Sequence, residues 1–292
     1  MSGAVRPGKV EEITSTANPR VKSIRALSMK KNREREGVFL AEGLKLVTDA
    51  LEGGWTIRQL IHGKALTQDA RLKTRIDDLS AKVRTTGGDI IIASDKVLSA
   101  ITRRDNAQNV VAVIEPRLTA LDMVKPVVGE LWLALDRVRD PGNLGTVIRT
   151  ADALGANGLI LVGDCTDPFA TEAVRATMGS LFHLPLVKAT EDEFVTLAGR
   201  WRQAGGEITG THLDGAVDHR AIDYADAPQI LLMGNEQQGL TEALAQSCSQ
   251  LALIAMNGQA DSLNLAVATG IMLFAARSHT LDPVDGPTSR DL

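Results

Sequence analysis

Residues 131–154 read Leu131-Trp132-Leu133-Ala134-Leu135, then the polar loop 136–142, then Asn143-Leu144-Gly145-Thr146-Val147-Ile148-Arg149-Thr150-Ala151-Asp152-Ala153-Leu154. A nearly continuous apolar run of five suits a strand buried on both faces of a parallel sheet. The turn residues end it, and apolar side chains then recur at helical spacing: Leu144, Val147, Ile148, Ala151 and Leu154. Asn143 is the expected N-cap, and Gly155 stops the helix. Thr146, Arg149 and Ala153 fall on another face. A strand handing over to a helix in this way is the repeating unit of an α/β sheet.

The pattern continues downstream. Strands are expected at Gly158–Val162, Leu184–Val187, Glu207–Thr211, Gln229–Met233 and Leu251–Ala255. Helices are expected at Phe169–Met178, Glu191–Ala204, Thr241–Cys248 and Ser262–His279, the last capped by Ser262. The fold class is therefore α/β, a mostly parallel sheet with helices on both faces. Upstream, Asn18-Pro19 opens a helix to about Lys30. Val38–Ala41, Ile57–Ile61, Ile90–Ala93 and Val110–Ile114 read as strands, with helices from Leu44 to the Gly53-Gly54 stop and from Asp95 to Ile101. The expected organisation is a tail over 1–10, a small α/β domain over 11–116, a linker over 117–129, the larger α/β domain over 130–280, and a second tail over 281–292.

Composition narrows the function. A chain of 292 residues with 44% apolar side chains can build two cores. No apolar run reaches the roughly 20 residues that cross a bilayer, and the first ten residues lack the apolar stretch of a signal peptide. Cys165 and Cys248 are too few for a disulfide framework and the five histidines are scattered, so no metal is expected and a reduced, cytoplasmic setting fits. Aromatics at 3% argue against base stacking as the main grip on nucleic acid. The net charge of −4 does not advertise a nucleic-acid binder, yet residues 1–40 hold nine basic and four acidic side chains, a local +5. Arg20, Lys22, Arg25, Lys30, Lys31 and Arg33 are the candidate contacts to a nucleic-acid backbone; a solvated helix face would read the same way.

Three segments decide more than any of this: Asn143-Leu144-Gly145 with Arg149-Thr150-Ala151; Gly234-Asn235-Glu236-Gln237-Gln238-Gly239-Leu240; and Ser262-Leu263-Asn264-Leu265-Ala266-Val267-Ala268. In this order they resemble the three motifs of the SpoU (TrmH) family of RNA ribose 2′-O-methyltransferases, over roughly Leu131–Arg277. Residues 172–182 are also similar to the family, with Thr177 where serine is common. Residues 13–116 resemble, more weakly, the ribosomal-protein-like substrate-binding domain of many members. The resemblance implies a deep trefoil knot in the C-terminal domain, homodimerisation through that domain, S-adenosyl-L-methionine as cofactor and RNA, ribosomal before transfer RNA, as substrate.

The resemblance also assigns residues. Arg149 matches the essential arginine. A guanidinium stays protonated near neutrality, so gripping a phosphate and lowering the proton affinity of the 2′-hydroxyl suits it better than acting as a base. Asn143 helps shape the active site. Glu236 is a site carboxylate that orders the arginine or the knot loops, and Ser262 and Asn264 fix RNA or the loop beside the cofactor. Gly234, Ile254 and Leu263 would form the cofactor slot, with Met256, Gly210 and Thr211 beside them. Ser262 as a serine nucleophile is disfavoured, because no acid and histidine follow it in a recognisable arrangement.

Two rivals remain open on sequence. A dinucleotide-dependent dehydrogenase would need Gly-x-Gly-x-x-Gly, which Gly142-Asn143-Leu144-Gly145 does not supply. A non-catalytic RNA-binding module on the same fold is disfavoured by intact Asn143, Arg149, Glu236, Ser262 and Asn264.

Overall fold

The computed structural model describes residues 6–64, 69–104, 109–212, 217–225 and 227–281. The chain divides into two compact units. The first holds residues 1–119 together with Arg139–Arg149 and Thr166–Leu186; the second holds the rest.

The first unit opens with β1 (Val10–Ile13), α1 (Pro19–Ala26), α2 (Lys30–Glu36), β2 (Phe39–Glu42) and α3 (Leu44–Glu52). It continues with β3 (Ile57–Gly63), α4 (Ala70–Thr85), β4 (Asp89–Ala93), α5 (Asp95–Thr102) and β5 (Val110–Ile114). The five strands form one mixed sheet in the order β1-β4-β3-β5-β2. The β1–β4 and β3–β4 pairs are parallel, whereas β3–β5 and β2–β5 are antiparallel. One core lies on this sheet around Val21, Ile24, Leu40, Ile61, Ile91, Leu98 and Val111.

Several expectations are corrected here. The N-terminal tail is shorter than ten residues. The Gly8 amide donates to the Arg84 carbonyl at 3.1 Å, and Val10 already pairs with Ile90. A Cβ at position 8 would lie 1.8 Å from the Gly88 carbonyl oxygen, so only glycine permits that approach. Residues 1–5 and 282–292 of the expected tails lie outside the described residues. The helix opened by Asn18, whose side chain accepts from the Arg20 amide, ends at Ala26 rather than Lys30. The Ala26 carbonyl accepts from the Met29 amide and from Asn32 Nδ2, and Arg33 Nη1 donates to the carbonyls of Leu27 and Ser28, so side chains help satisfy the carbonyls left at the helix end. Helix α4 has no counterpart in the sequence reading. Its buried residues are only Ile76, Leu79 and Val83 among sixteen, most of the rest charged or polar, and Asp69 caps it.

The two inserted segments complete this unit. Helix α6 (Pro141–Ala153) begins in the first and α7 (Thr171–Ala176) lies in the second. A Cβ on Gly145 would lie 2.5 Å from both the Ala173 carbonyl oxygen and the Ala176 Cβ, so the motif glycine is where α6 and α7 touch. Phe169 and Phe182 join Phe39 and Trp55 in a buried aromatic cluster, with ring centroids 4.9 to 6.5 Å apart. Half of the chain's Phe and Trp residues are thereby spent on packing.

The second unit is built on β6 (Leu131–Asp136), β7 (Gly158–Val162), β8 (Leu186–Ala189), β9 (Glu207–Thr211), β10 (Val217–Asp218), β11 (Gln229–Met233) and β12 (Gln250–Leu253). Its helices are α8 (Glu191–Gln203), α9 (Glu242–Ser247) and α10 (Leu265–Arg277). The strand order is β10-β12-β9-β11-β6-β7-β8. The registered pairs β10–β12, β12–β9, β9–β11, β11–β6 and β6–β7 are all parallel. Each of β6, β7 and β11 is buried along its whole length, as the apolar runs required. Trp132, Phe194, Trp201, Ile208 and Leu244 fill the core. Part of the expected linker belongs to it, since Val124 is buried there and Leu121 packs against it.

Candidate functional site

In a parallel sheet, ligands bind beyond the carboxyl ends of the strands where the winding reverses. Here the chain runs β6, β7, β8 in one direction and then returns to the other side of β6, where β9, β11 and β12 lie. A cavity of about 330 Å³ opens at the ends of those three strands. It is bounded by Thr211, by Met233–Gly239, by Leu253, Ile254 and Met256, and by Ser262, Leu263 and Leu265. That volume falls within the range of small-molecule sites, at about 300–1,000 Å³.

Most of the expected cofactor residues meet there: Gly234, Ile254, Leu263, Thr211 and Met256 all line the cavity, and so do Glu236 and Ser262. Gly210 does not. A Cβ at that position would sit 2.6 Å from Cys248 Sγ and 2.9 Å from Leu240 Cδ1, so this glycine serves core packing beneath the site. Gly234 is required by the loop itself, because a Cβ there would lie 2.8 Å from both Gly239 C and Leu240 N. The Gly234 amide is held by Thr211 Oγ1 at 3.2 Å, while the Thr211 hydroxyl also faces the Leu232 carbonyl. Glu236 is exposed on the same loop.

Sequence reading missed what holds that loop. The Asn235 amide and carbonyl both pair with Gly239, and Asn235 Oδ1 accepts from the amides of Gln237 and Gln238. Asn235 Nδ2 donates to the Arg137 carbonyl at 2.9 Å. Arg137 has a left-handed backbone, φ 47°, and donates to Gln238 Oε1 and the Gly239 carbonyl. It is gripped in turn by both oxygens of buried Asp136, a hydrogen bond that raises the Arg137 pKa. Asn235 was visible as part of a motif. Arg137 gave no local signal for this role, since the loop it holds lies about a hundred residues away. His212 also lines the cavity without having been singled out.

The caps are redistributed. Asn264, not Ser262, caps α10 by accepting from the Ala266 and Val267 amides, which frees Ser262 to line the cavity. Asn143 is not a cap either. Helix α6 begins two residues earlier, and Asp140 Oδ1 accepts from the Asn143 amide at 2.6 Å. Asn143 and Arg149 belong to the first unit. Arg149 is exposed on the same helix face as Thr146, opposite the buried Leu144, Val147, Ile148 and Ala151.

The basic candidates divide. Lys22, Arg25, Lys30 and Lys31 are exposed. Arg33 is corrected: it is buried, and its Nε and Nη2 both bind Asp167 Oδ2, at 2.9 and 2.6 Å. Arg20 is tied to Glu11 and Asp89 at 2.6 and 2.7 Å. Both guanidiniums are committed to protein carboxylates. Burial pushes the Cys165 thiol up to about 11 and that of Cys248 up to about 12, which argues against thiolate chemistry by either. Among the described residues no cluster of three metal-ligating side chains occurs, and no helix is long and apolar enough to cross a membrane.

Known proteins match this arrangement along nearly the whole chain. Residues 18–112 match the MRM3-like substrate binding domain, and residues 130–274 match the SpoU rRNA Methylase family. The 23S rRNA (uridine(2479)-2′-O)-methyltransferase of Streptomyces viridochromogenes is 35% identical over 277 residues, covering 93% of each chain. The 23S rRNA (guanosine(2553)-2′-O)-methyltransferase RlmP of Bacillus subtilis is 30% identical, covering 92% of this chain and all of that one. The AdoMet-bound rRNA methyltransferase from Sinorhizobium meliloti superposes with a TM-score of 0.86 at 51% identity, covering 94% of this chain and 99% of that one. The strand-end cavity, the loops that bound it and the length of these matches agree: this chain belongs to the SpoU methyltransferase family.

Proposed function

We propose that this protein transfers a methyl group from S-adenosylmethionine to a ribose 2′-hydroxyl of 23S ribosomal RNA. One observation carries the reading: the second and third motif segments, nearly thirty residues apart in sequence, bound a single cavity at the ends of β9, β11 and β12. When bound, the cofactor supplies a methyl carbon on a sulfonium, open to displacement by oxygen. The chain's contribution is placement. Gly234, held by Thr211, offers a backbone cradle, and Ile254, Leu263 and Leu265 offer apolar walls. Holding two reactants in line can supply much of the acceleration in such a displacement. Glu236 and Ser262 are polar groups in the cavity wall able to orient a substrate hydroxyl. Arg149 is assigned to the RNA phosphate beside the reacting ribose, and Asn143 and Asn264 to shaping the surrounding loops.

The two 23S rRNA relatives named above act on a uridine and a guanosine. A shared fold serving both bases fits selection by the surrounding RNA rather than by the target base. We assign that selection to residues 11–116, with Lys22, Arg25, Lys30 and Lys31 among its contacts, and the chemistry to residues 130–280. A deep trefoil knot is assigned to the latter on its membership of the SpoU family. The cytoplasm, where ribosomal RNA is available in bacteria, is the assigned location. A homodimer through α10 is supported by its outer face, where Val267 and Phe274 are 52% and 57% exposed with Gly270 and Ile271 between them. Sedimentation is expected to show a dimer that Phe274→Glu dissociates; a wild-type monomer would remove this part of the reading.

The function is tested by incubating the protein with labelled S-adenosylmethionine and either a 23S rRNA transcript or unmodified transfer RNA. Label retained as a 2′-O-methyl nucleoside in the 23S transcript is the expected result. Label in transfer RNA alone would reassign the substrate. Cofactor binding without transfer to either would favour the non-catalytic RNA-binding alternative.

A further inference from the structure

We propose that a cationic notch in the first unit, at the head of α3, binds a backbone phosphate of the RNA; the inference rests on the RNA-methyltransferase reading above. The notch has a volume of about 300 Å³ and is lined by Gly43–Leu46, Glu42, Arg104, Arg175 and Met178. Three cations, Lys45, Arg104 and Arg175, thus face one carboxylate.

The carboxylates nearby are already engaged. The Glu42 side chain is 2% exposed and accepts from Arg175, and Asp49 accepts from Lys45 at 2.5 Å. Arg175 and Lys45 each carry more donors than these bonds use. Arg104 is exposed. Helix α3 adds to the field. Its N-cap is Gly43, which has no side chain to accept the first-turn amides, and residues 44–46 line the notch. A multiply charged oxyanion matches this set better than a carboxylate-bearing peptide, because a guanidinium and an ammonium converge on one small volume.

Backbone geometry marks the same place. Among the described residues only Arg103, Arg137 and Met178 are non-glycine residues with positive φ. Met178 lines the notch and Arg103 immediately precedes Arg104. Both end helices, Arg103 as the left-handed C-cap of α5 and Met178 just past the C-cap of α7, so these two turns shape the rim of the notch. None of these residues belongs to the basic run of residues 20–33 that the sequence singled out.

The test removes charge without disturbing the buried pair. Arg175 is left intact, because its loss would strand Glu42. The variant Lys45→Gln/Arg104→Gln is compared with Lys73→Gln/Lys82→Gln, which removes the same charge from exposed positions on α4. Filter binding to a 23S rRNA transcript is measured across salt concentrations, with melting temperature alongside. Loss of phosphate contacts is expected to weaken binding about tenfold near 0.1 M salt and to lower the salt slope by about 1.5 to 2 in the notch variant. The α4 variant should stay near wild type. If the double notch variant melts early, Arg104→Gln alone is read in the same way, with a slope loss of about one. A notch variant that matches the α4 variant in affinity and slope overturns the notch while leaving the methyltransferase reading intact. A wild-type protein that neither binds nor methylates the transcript overturns both.

Discussion

Arg149→Ala is expected to reduce ribose methylation by about 10²–10⁴-fold, the range seen when a group assisting proton transfer is lost. Cofactor affinity and melting temperature should stay at wild-type values. Arg149 is exposed on α6, while the apolar side of that helix is fully buried through Leu144, Val147, Ile148 and Ala151. Truncating an exposed side chain removes no core contact, so a loss of activity would not be a loss of fold. The guanidinium is assigned to the phosphate next to the reacting ribose, where its charge makes the 2′-hydroxyl easier to deprotonate. Lysine should rescue poorly, because one ammonium cannot reproduce a planar fork. Single-turnover methylation at saturating RNA separates this from weak binding. Near-normal turnover in Arg149→Ala would remove the assigned role.

The second large effect concerns stability. Arg33→Ala should destabilise the first unit by about 3–5 kcal/mol, the cost of leaving one partner of a buried ion pair alone. Arg33 is 7% and Asp167 11% exposed at the side chain, and Arg33 also takes the carbonyls of Leu27 and Ser28. The mutation therefore leaves the Asp167 Oδ2 charge and two carbonyls without their donor, while Oδ1 keeps the Phe169 amide. Urea denaturation would read the change. The double variant Arg33→Met/Asp167→Leu should recover much of it, since well-packed apolar replacements of a buried pair are often neutral or better. A loss below about 1 kcal/mol in the single variant would mean that the pair behaves as a solvated surface bridge. The same residue shows how charge runs mislead. On sequence, Arg33 is one more cation among Arg25, Lys30, Lys31 and Arg35; in the fold it bonds a residue 134 positions away.

Much of the architecture was legible because it rests on local rules. The bounds of β7, β9 and β11 match their sequence expectations; β9 carries Ile208 as its one large apolar residue, whereas in β7 and β11 an apolar run closed by turn residues defines a buried parallel strand without outside help. The Gly53-Gly54 stop ended α3 for the same reason. Helix α4 escaped although Leu72, Ile76, Leu79 and Val83 recur at helical spacing, because that narrow stripe is diluted among mostly charged and polar residues. Strand β1 escaped because four residues after a glycine look like a tail until β4 is there to pair with them. The caps at Asn143 and Ser262 were each misplaced, by three and two residues, because Asp140 and Asn264 compete for the same orphan amides.

The sequence by itself determined the α/β class, the positions of the buried strands, the motif residues and, through them, the chemistry to expect. The class and the strands follow from side-chain periodicity and turn preferences, which act over a few residues; the motif roles and the chemistry are what the resemblance to the SpoU family implies. Only the tertiary structure decided which motif residues share a cavity, that Gly210 packs beneath it, that Arg137 clamps the Gly234–Gly239 loop, and that Arg33 is spent on an ion pair while Lys45 and Arg104 face a notch. Those outcomes depend on strand order and on which distant groups compete to satisfy a buried donor or charge, and nothing within a short window of sequence encodes that competition.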